Sequence, residues 1–369
     1  MAATTPVGTR IAIETGAAAP ASQGRRLLGG IWAQPVVRAV VRGVLTVFVV
    51  ITMTFFIIRL MPGNPVDLYI NQIIAETGIS YAEAADQASG LFNLDLNAPI
   101  HEQYVGYLGK LVRADLGTSL LSRGTPVTAL ILAFLPWTLF SVGTGLLLSF
   151  VVGVFLGLLA AYRRNSAFDS AVSSIGSVVS SVPNYLMALI IVVFAGTQFR
   201  LLPIAQMRGS SSPGIEPGLT LAYIGDILFH GALPITVFFL TTIGYWILSM
   251  KSATLATLEE DYVTVARARG LPDGRITTAY VGRNAILPLV TQFAIAAGHV
   301  VGGAIFVEFI LVYPGVGLRL YQAIQQRDYP VMEGIVLVIT VSVVAANIIA
   351  DLFYSKLDPR IGRAGGAGG

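Results

Sequence analysis

The sequence of 369 residues contains no cysteine and only three histidines. Without cysteine, the chain can form neither a disulfide framework nor a thiolate metal site. The histidines His101, His230 and His299 are widely separated, and isolated histidines are poor metal ligands, so no metal site is predicted. The sequence also lacks a nucleophile–base arrangement, a zinc signature and a phosphate-binding loop. The chain is therefore not expected to be an enzyme or to hold a cofactor.

Charge is also scarce. Charged residues make up 12% of the chain, against about 25% in an ordinary soluble domain. The formal net charge of +3 is small, and the basic residues are spread over several loops. This distribution gives no support to a nucleic-acid partner.

Long apolar runs are abundant, since 54% of the residues are hydrophobic. A transmembrane helix needs about 20 mostly apolar residues. The sequence therefore predicts an all-α membrane protein with six transmembrane helices. The second run is too long for one straight span, so we expect part of it to lie outside the bilayer, with Pro136 at the entry or at a kink. The six uncharged runs are 43–58, 124–162, 170–199, 227–250, 284–307 and 334–350.

The Lys and Arg residues of the loops predict the orientation. The two tails and the loops on their side of the membrane hold about two thirds of the 23 Lys and Arg residues. Both termini are thus expected in the cytoplasm, and loop 61–125 is expected outside. Its stretch 82–116 alternates short helix-like pieces with Asn and Pro breaks and predicts a small helical layer. We predict disordered tails at 1–35 and 361–369 around a transmembrane domain at 36–360.

A polar segment, 251–286, interrupts this apolar chain near its C-terminal third. It mixes acidic and basic residues, and Val263, Ala266 and Gly270 recur at roughly helical spacing. Such a segment predicts a cytoplasmic docking surface. A solvated loop and an amphipathic helix lying on lipid headgroups are the alternatives.

Several separated stretches together resemble one family. They are RLMPGNPVD, LNAPIHEQYVGYLGKLVRADLGTSL, SVPNYLMALI, DYVTVARARGL, RNAILPLVTQFAIAAG, VEFILVYPGVGLRLYQAIQQRDYPVM and LDPRI. The chain resembles the permease subunit of ABC importers of the dipeptide, oligopeptide and nickel class. This resemblance implies a type I ABC importer permease fold in the bacterial cytoplasmic membrane and ATP-driven import of short peptides.

The resemblance also implies partners. They are a second homologous permease, two ATPase subunits or one fused ATPase chain, and an extracytoplasmic peptide-binding protein, besides the membrane lipid. ATP and Mg²⁺ would bind to the ATPase subunits and not to this chain. Glutathione and a nickel complex are the alternative substrates that similar permeases handle.

The resemblance assigns the docking role within the polar segment to one short helix. The triplet Thr264-Val265-Ala266 stands where the general importer pattern has Glu-Ala-Ala, so a role for that glutamate is not carried over. Between Gly and Pro breaks, a compact helix can pass a rigid-body movement to the flanking spans. The predicted ATPase-coupling residues are Asp261, Tyr262, Ala266, Arg267, Ala268, Arg269, Gly270 and Leu271.

Five charged residues near the predicted outer ends of spans are candidates for an outer gate or for contact with substrate or the binding protein. The segment 313–330 has helix breakers at both ends and predicts a short surface or re-entrant helix; an ordinary connector is the alternative. Charges at these positions can also serve only as interfacial anchors. The five are Asp67, Glu308, Arg319, Arg327 and Asp328.

Polar uncharged residues within the runs predict the lining of a pathway. Ion-coupled carriers place ionisable residues inside the membrane, and these runs have almost none. An external energy source is thus favoured over the alternatives, which are an ATP-independent channel or secondary carrier and a membrane scaffold that transports nothing. The predicted lining residues are Ser177, Ser180, Ser181, Asn184 and Gln292.

Overall fold

The computed structural model describes residues 35–61, 70–71, 73–75, 77–89, 99–120, 122, 124–298, 300, 302 and 304–357. Within these ranges the chain is helical apart from loops and one isolated β-bridge between Thr118 and Pro126. The predicted tails lie outside the described residues, except for Pro35, which opens α1. The helices are α1 Pro35–Leu60, α2 Tyr81–Ser89, α3 Ile100–Val112, α4 Val127–Tyr162, α5 Ala167–Ser180, α6 Asn184–Ile190, α7 Leu221–Leu258, α8 Asp261–Ala268, α9 Leu287–Gly298, α10 Ile305–Leu311, α11 Val316–Gln326 and α12 Tyr329–Leu357.

Four helices of the described chain are continuous, long and apolar enough to cross a membrane: α1, α4, α7 and α12. Two further pairs of helices pass the same criteria only together, because each is sharply bent. The predicted all-α membrane fold is confirmed. The described chain holds four spans, or up to six if each bent pair is counted as one, so six spans stays a prediction.

The third apolar run is broken near its middle. α5 ends at Ser180, and the next helical stretch, α6 with its π-helical continuation to Gln198, is turned by 98°. Pro183 accounts for the break, because proline donates no backbone hydrogen bond and disfavours helical geometry at the residue before it. The run therefore forms two helical arms rather than one straight span.

The second and fifth runs also differ from simple spans. α4 is one helix of 36 residues that contains Pro136. At 1.5 Å per residue it is about 54 Å long, so part of it must extend beyond a hydrocarbon core of about 30 Å. The fifth run is divided between α9, with 12 residues, and α10, with 7. Neither α9 nor α10 alone is long enough to span.

Glycines bring α4 and α7 close together in the centre of the fold. A Cβ atom on Gly153 would lie 2.6 Å from the Cβ of Trp246, and one on Gly145 would lie 2.8 Å from the Cβ of Phe238. Because both residue numbers rise together, the two helices run parallel. The Gly153–Gly157 pair thus serves helix packing, as its small-xxx-small spacing predicts.

The bundle has two ends, which we call the 99–126 end and the 259–283 end after the segments that they carry. At the 99–126 end, α3 packs on α1 through Phe55, whose ring lies 5.3 Å from that of Tyr107. The Tyr104 hydroxyl also shares a 2.8 Å hydrogen bond with Thr52. The predicted helical layer of loop 61–125 is therefore present in its described part, as α2 and α3.

Candidate functional site

The polar segment at the 259–283 end folds as predicted into a short helix, α8. Val263 and Ala266 are buried on its inner side and form a small apolar cluster with Ile276 and Val281 from the connector that follows. This cluster fixes α8 against the connector to α9. A movement of α8 would therefore be passed to both α7 and α9, which flank it in the chain.

Gly270 ends α8 in a left-handed conformation, with φ of 74°. Its N–H donates to the carbonyl of Arg267 at 2.9 Å, and the Leu271 N–H donates to the carbonyl of Ala266 at 3.3 Å. This pattern is a Schellman motif, which favours glycine at the residue after the C-cap. Nothing lies within 4 Å of the position of a Cβ atom on Gly270, so the site restricts the backbone and not the bulk of the side chain.

The outward side of α8 is polar and also exposes two largely apolar side chains. Tyr262 and Val265 are 38% and 50% exposed, and the Tyr262 hydroxyl accepts a 2.9 Å hydrogen bond from the Asn284 side-chain amide. Asn284 was not among the predicted site residues, since only the folded chain brings it to Tyr262. Of the eight predicted coupling residues, Ala266 is buried and Leu271 half-buried, while the other six are exposed: Asp261, Tyr262, Arg267, Ala268, Arg269 and Gly270.

A charged contact lies close to the same end of the bundle. Asp169, in the first turn of α5, forms an ion pair with Lys251 of α7. The Ser173 hydroxyl accepts from the Lys251 ammonium at 3.1 Å and donates to Asp169 at 3.2 Å. None of the predicted site residues takes part in this contact, which ties α5 to the helix that leads into α8.

At the 99–126 end, α11 forms the short helix that segment 313–330 predicts. It is bent by 87° from α10. Glu308 of α10 is fully buried beneath its N-terminus, where it accepts hydrogen bonds from the Thr138 hydroxyl at 2.6 Å and from the Leu318 N–H at 3.0 Å. The Glu308 carboxylate is thus bonded to other residues of this chain. Thr138 was not among the predicted site residues.

The other predicted gate residues are also placed within the chain. Asp328, 1% exposed, accepts hydrogen bonds from the Ser119 hydroxyl and from the Leu120 N–H, the latter at 3.1 Å. Arg319 donates to the Ser122 hydroxyl at 2.9 Å. Arg327 is half-buried and ends α11 in a left-handed conformation, and Asp67 lies outside the described residues. The role of all five in contacting substrate or a binding protein stays a prediction.

Two of the five predicted lining residues, Ser180 and Gln292, form hydrogen bonds with consecutive residues of α7. The Ser180 hydroxyl accepts a 2.9 Å hydrogen bond from the Gly244 N–H, and the Tyr245 hydroxyl donates to the Gln292 side chain at 2.8 Å. Gln292 and Tyr245 are both exposed in this chain, which places two polar side chains on an uncovered surface of the bundle. Ser177 and Ser181 are also exposed, and Asn184 is half-buried. Tyr245 was not predicted.

Hydrogen bonds between polar side chains join segment 199–220 to the first turns of α7. Ser212 donates from its backbone and its hydroxyl to Asp226, at 2.7 and 2.6 Å, and its hydroxyl lies 3.1 Å from Nε2 of His230. His230 is therefore not isolated, because Asp226 precedes it by one helical turn. Within the part of the chain that the structure describes, no group of three or more possible metal ligands occurs.

The sequence of this chain is similar to those of known transport proteins. Residues 153–363 match the family model described as binding-protein-dependent transport system inner membrane component. A Brucella suis protein provisionally named as a peptide permease is 36% identical over 308 residues, which cover 83% of this chain and 92% of that protein. The oligopeptide transport system permease AppB of Bacillus subtilis is 31% identical, covering 84% and 93%. The dipeptide transport system permease DppB of Escherichia coli K12 is also 31% identical, covering 86% and 96%.

Proposed function

Because the chain belongs to the family of inner membrane components of binding-protein-dependent transport systems, we propose that it is the transmembrane subunit of an ATP-driven importer of short peptides. It is a multi-pass protein of the bacterial inner membrane, as the family and its long apolar helices indicate. The family consists of transport components and not of enzymes. The names of the relatives, which specify peptides, dipeptides and oligopeptides, support the choice of substrate.

The observation that carries the proposal is the construction of α8. Its inner side is anchored on an apolar cluster, and its outer side exposes Tyr262, Val265 and Arg267 to a partner. A helix held in this way can transmit a push from an ATPase subunit to α7 and α9 as a rigid body. ATP and Mg²⁺ are bound by two ATPase subunits, or by one fused ATPase chain, that dock at α8.

The remaining partners are those that the resemblance implies, and we assign each of them to one face of the bundle. A second homologous permease completes the pathway beside the uncovered Tyr245 and Gln292, and membrane lipid surrounds the other faces. The extracytoplasmic peptide-binding protein delivers the substrate at the 99–126 end. Both termini, and with them the 259–283 end, face the cytoplasm, in agreement with the distribution of Lys and Arg residues.

The polar and uncharged character of the lining residues suits a zwitterionic peptide. Hydroxyl and amide groups such as those of Ser177 and Gln292 can contact backbone groups of any peptide without selecting one side chain. Glutathione and a nickel complex are alternative cargoes. An ATP-independent channel or secondary carrier is the alternative function, but neither requires an anchored docking helix such as α8.

The proposal is tested by isolating the tagged chain from its native host in a mild detergent and identifying the chains that copurify. The complex is then reconstituted in liposomes together with its binding protein. Recovery of a second permease and of ATPase subunits, with uptake of labelled di- to pentapeptides that requires ATP hydrolysis, is the expected result. Uptake that proceeds without nucleotide would favour a channel or carrier, and ATP-driven uptake of glutathione or nickel but not of peptides would reassign the cargo.

A further inference from the structure

The N-terminus of α11 is capped by side chains from two other helices. A helix N-terminus leaves N–H groups without partners inside the helix. Here the Val316 N–H donates to the Thr138 hydroxyl at 2.8 Å, and the Leu318 N–H donates to the Glu308 carboxylate at 3.0 Å. The two capping side chains therefore come from α4 and α10 and not from α11 itself.

The two capping side chains also bind each other. The Thr138 hydroxyl donates to Glu308 at 2.6 Å while it accepts from Val316, so that both of its hydrogen-bonding functions are used. Thr138 and Glu308 are each 0% exposed. Among the ion pairs of the described chain, none includes Glu308, so its main favourable contacts are these hydrogen bonds and the positive end of the α11 dipole.

Two glycines near the bend between α10 and α11 allow close packing around the Glu308 carboxylate. A Cβ atom on Gly315 would collide with the carboxyl group of Glu308, and one on Gly317 would lie 2.5 Å from the Cα of Ile305. Val312 adopts a left-handed conformation with φ of 52°, which is unfavourable for a β-branched residue. Such a conformation persists only where the surrounding contacts enforce it.

Further polar contacts attach α11 and a residue just beyond it to the segment that precedes α4. Arg319 binds Ser122, and Asp328, just beyond the end of α11, binds Ser119 and Leu120. Segment 117–126 continues directly into α4 and is joined to its first turn by a 3.0 Å hydrogen bond from the Val127 N–H to the Gly117 carbonyl. Both ends of α11 are therefore attached to α4 or to the segment that leads into it.

We propose that Thr138 and Glu308 form a latch that fixes α11 to α4, so that the two helices move as one body during transport. Both are positioning residues for the gate, and neither contacts the substrate. This inference rests on the proposed function, because the latch matters only if the 99–126 end opens and closes. Loss of the latch leaves α11 free to move by itself and separates ATP hydrolysis from passage of the substrate.

The absence of native cysteine allows a direct test with two spin labels, at Leu132→Cys on α4 and Gln325→Cys on α11. Both positions are exposed in this chain. Distances are measured in the purified complex, first without nucleotide and then with ATP and vanadate. We expect one narrow distance distribution that is the same in both states, broadened by Thr138→Val and restored by Thr138→Ser. A wild-type distance that changes between the states, or a Thr138→Val distribution equal to the wild type, would overturn the latch.

A transport measurement gives the second readout. Thr138→Val removes two buried hydrogen bonds, the one donated to Glu308 and the one accepted from Val316, and should lower the uptake per ATP hydrolysed at least about fivefold, which is the effect on an equilibrium of losing one such bond. Thr340→Val, the same substitution at a half-buried residue whose hydroxyl donates to the Val336 carbonyl within α12, is the matched control and should leave this ratio unchanged. An equal loss in both variants would contradict the latch, and Glu308→Gln replaces Thr138→Val if that variant fails to insert. The distance measurement needs no substrate, so it tests the latch even if the cargo is not a peptide.

Discussion

Asp169 and Lys251 form an ion pair that joins the start of α5 to the last turns of α7, close to the 259–283 end. Their side chains are 8% and 23% exposed, and Ser173 binds both. The Asn165 N–H adds a 3.1 Å hydrogen bond to the carboxylate. The pair lies two turns before the end of α7, so a movement of α8 would be passed through it to α5.

The first prediction concerns this pair. Lys251→Met should destabilise the protein, because it leaves the carboxylate of Asp169, whose side chain is 8% exposed, without its charged partner. The exchange Asp169→Lys with Lys251→Asp should recover part of the loss. Thermal unfolding of the purified protein in detergent measures both effects. A Lys251→Met variant as stable as the wild type would show that the pair contributes nothing.

The second prediction concerns the end of α8. Gly270→Val should weaken coupling because a β-branched residue disfavours the left-handed conformation, at a cost of about 1–2 kcal/mol. Gly270→Asn is the matched control, since asparagine accepts this conformation and open space surrounds the site. We expect ATP-dependent uptake to fall in the first variant and to stay near wild type in the second. A similar loss in both would mean that the bulk of the side chain is decisive.

The third prediction concerns the exposed pair of Tyr245 and Gln292. Tyr245→Phe removes the hydroxyl that holds the Gln292 side chain but keeps the aromatic ring against Trp246. If this pair lines the pathway, the KM for peptide should rise severalfold, by roughly the effect of one lost hydrogen bond, with little change in basal ATP hydrolysis. Unchanged uptake kinetics would place the pair outside the pathway.

The fourth prediction concerns a buried ion pair at the 99–126 end. Arg59 of α1 pairs with Glu333 of α12, and its guanidinium lies 4.1 Å from the centre of the Phe55 ring. Glu333→Gln should destabilise the protein by about 3 kcal/mol, because the Arg59 charge then loses its partner in a buried site. Hydrogen exchange along α1 and α12 checks this expectation, with faster exchange at their contact as the predicted result and unaltered exchange as the contrary one.

The sequence predicts some features of the fold well because they depend on local patterns. Apolar runs identify the spanning helices, and the alternation of Val263 and Ala266 with polar residues identifies α8 together with its inner side. Gly270 follows as its C-terminus from the same stretch. These features need no information about distant parts of the chain.

Other features depend on contacts between distant residues and were not visible. Glu308 resembles an interfacial charge in the sequence, but its partner Thr138 is 170 residues away. The contact between Asp328 and Ser119 spans 209 residues. The break in the third run is local, yet Pro136 is accommodated within α4 whereas Pro183 separates two helices. The surroundings of each proline, and not its presence, decide between the two outcomes.

The most direct test is to identify what α8 contacts in the assembled complex. A benzophenone photo-crosslinker is attached to a single cysteine introduced at exposed Val265, and at exposed Val105 of α3 at the opposite end of the bundle as the control, in the complex within its native membrane. We expect an adduct between this chain and an ATPase subunit from position 265 and none from position 105. Adducts with lipid alone from position 265 would contradict this expectation, and would show that α8 lies on the membrane surface instead of docking on the ATPase.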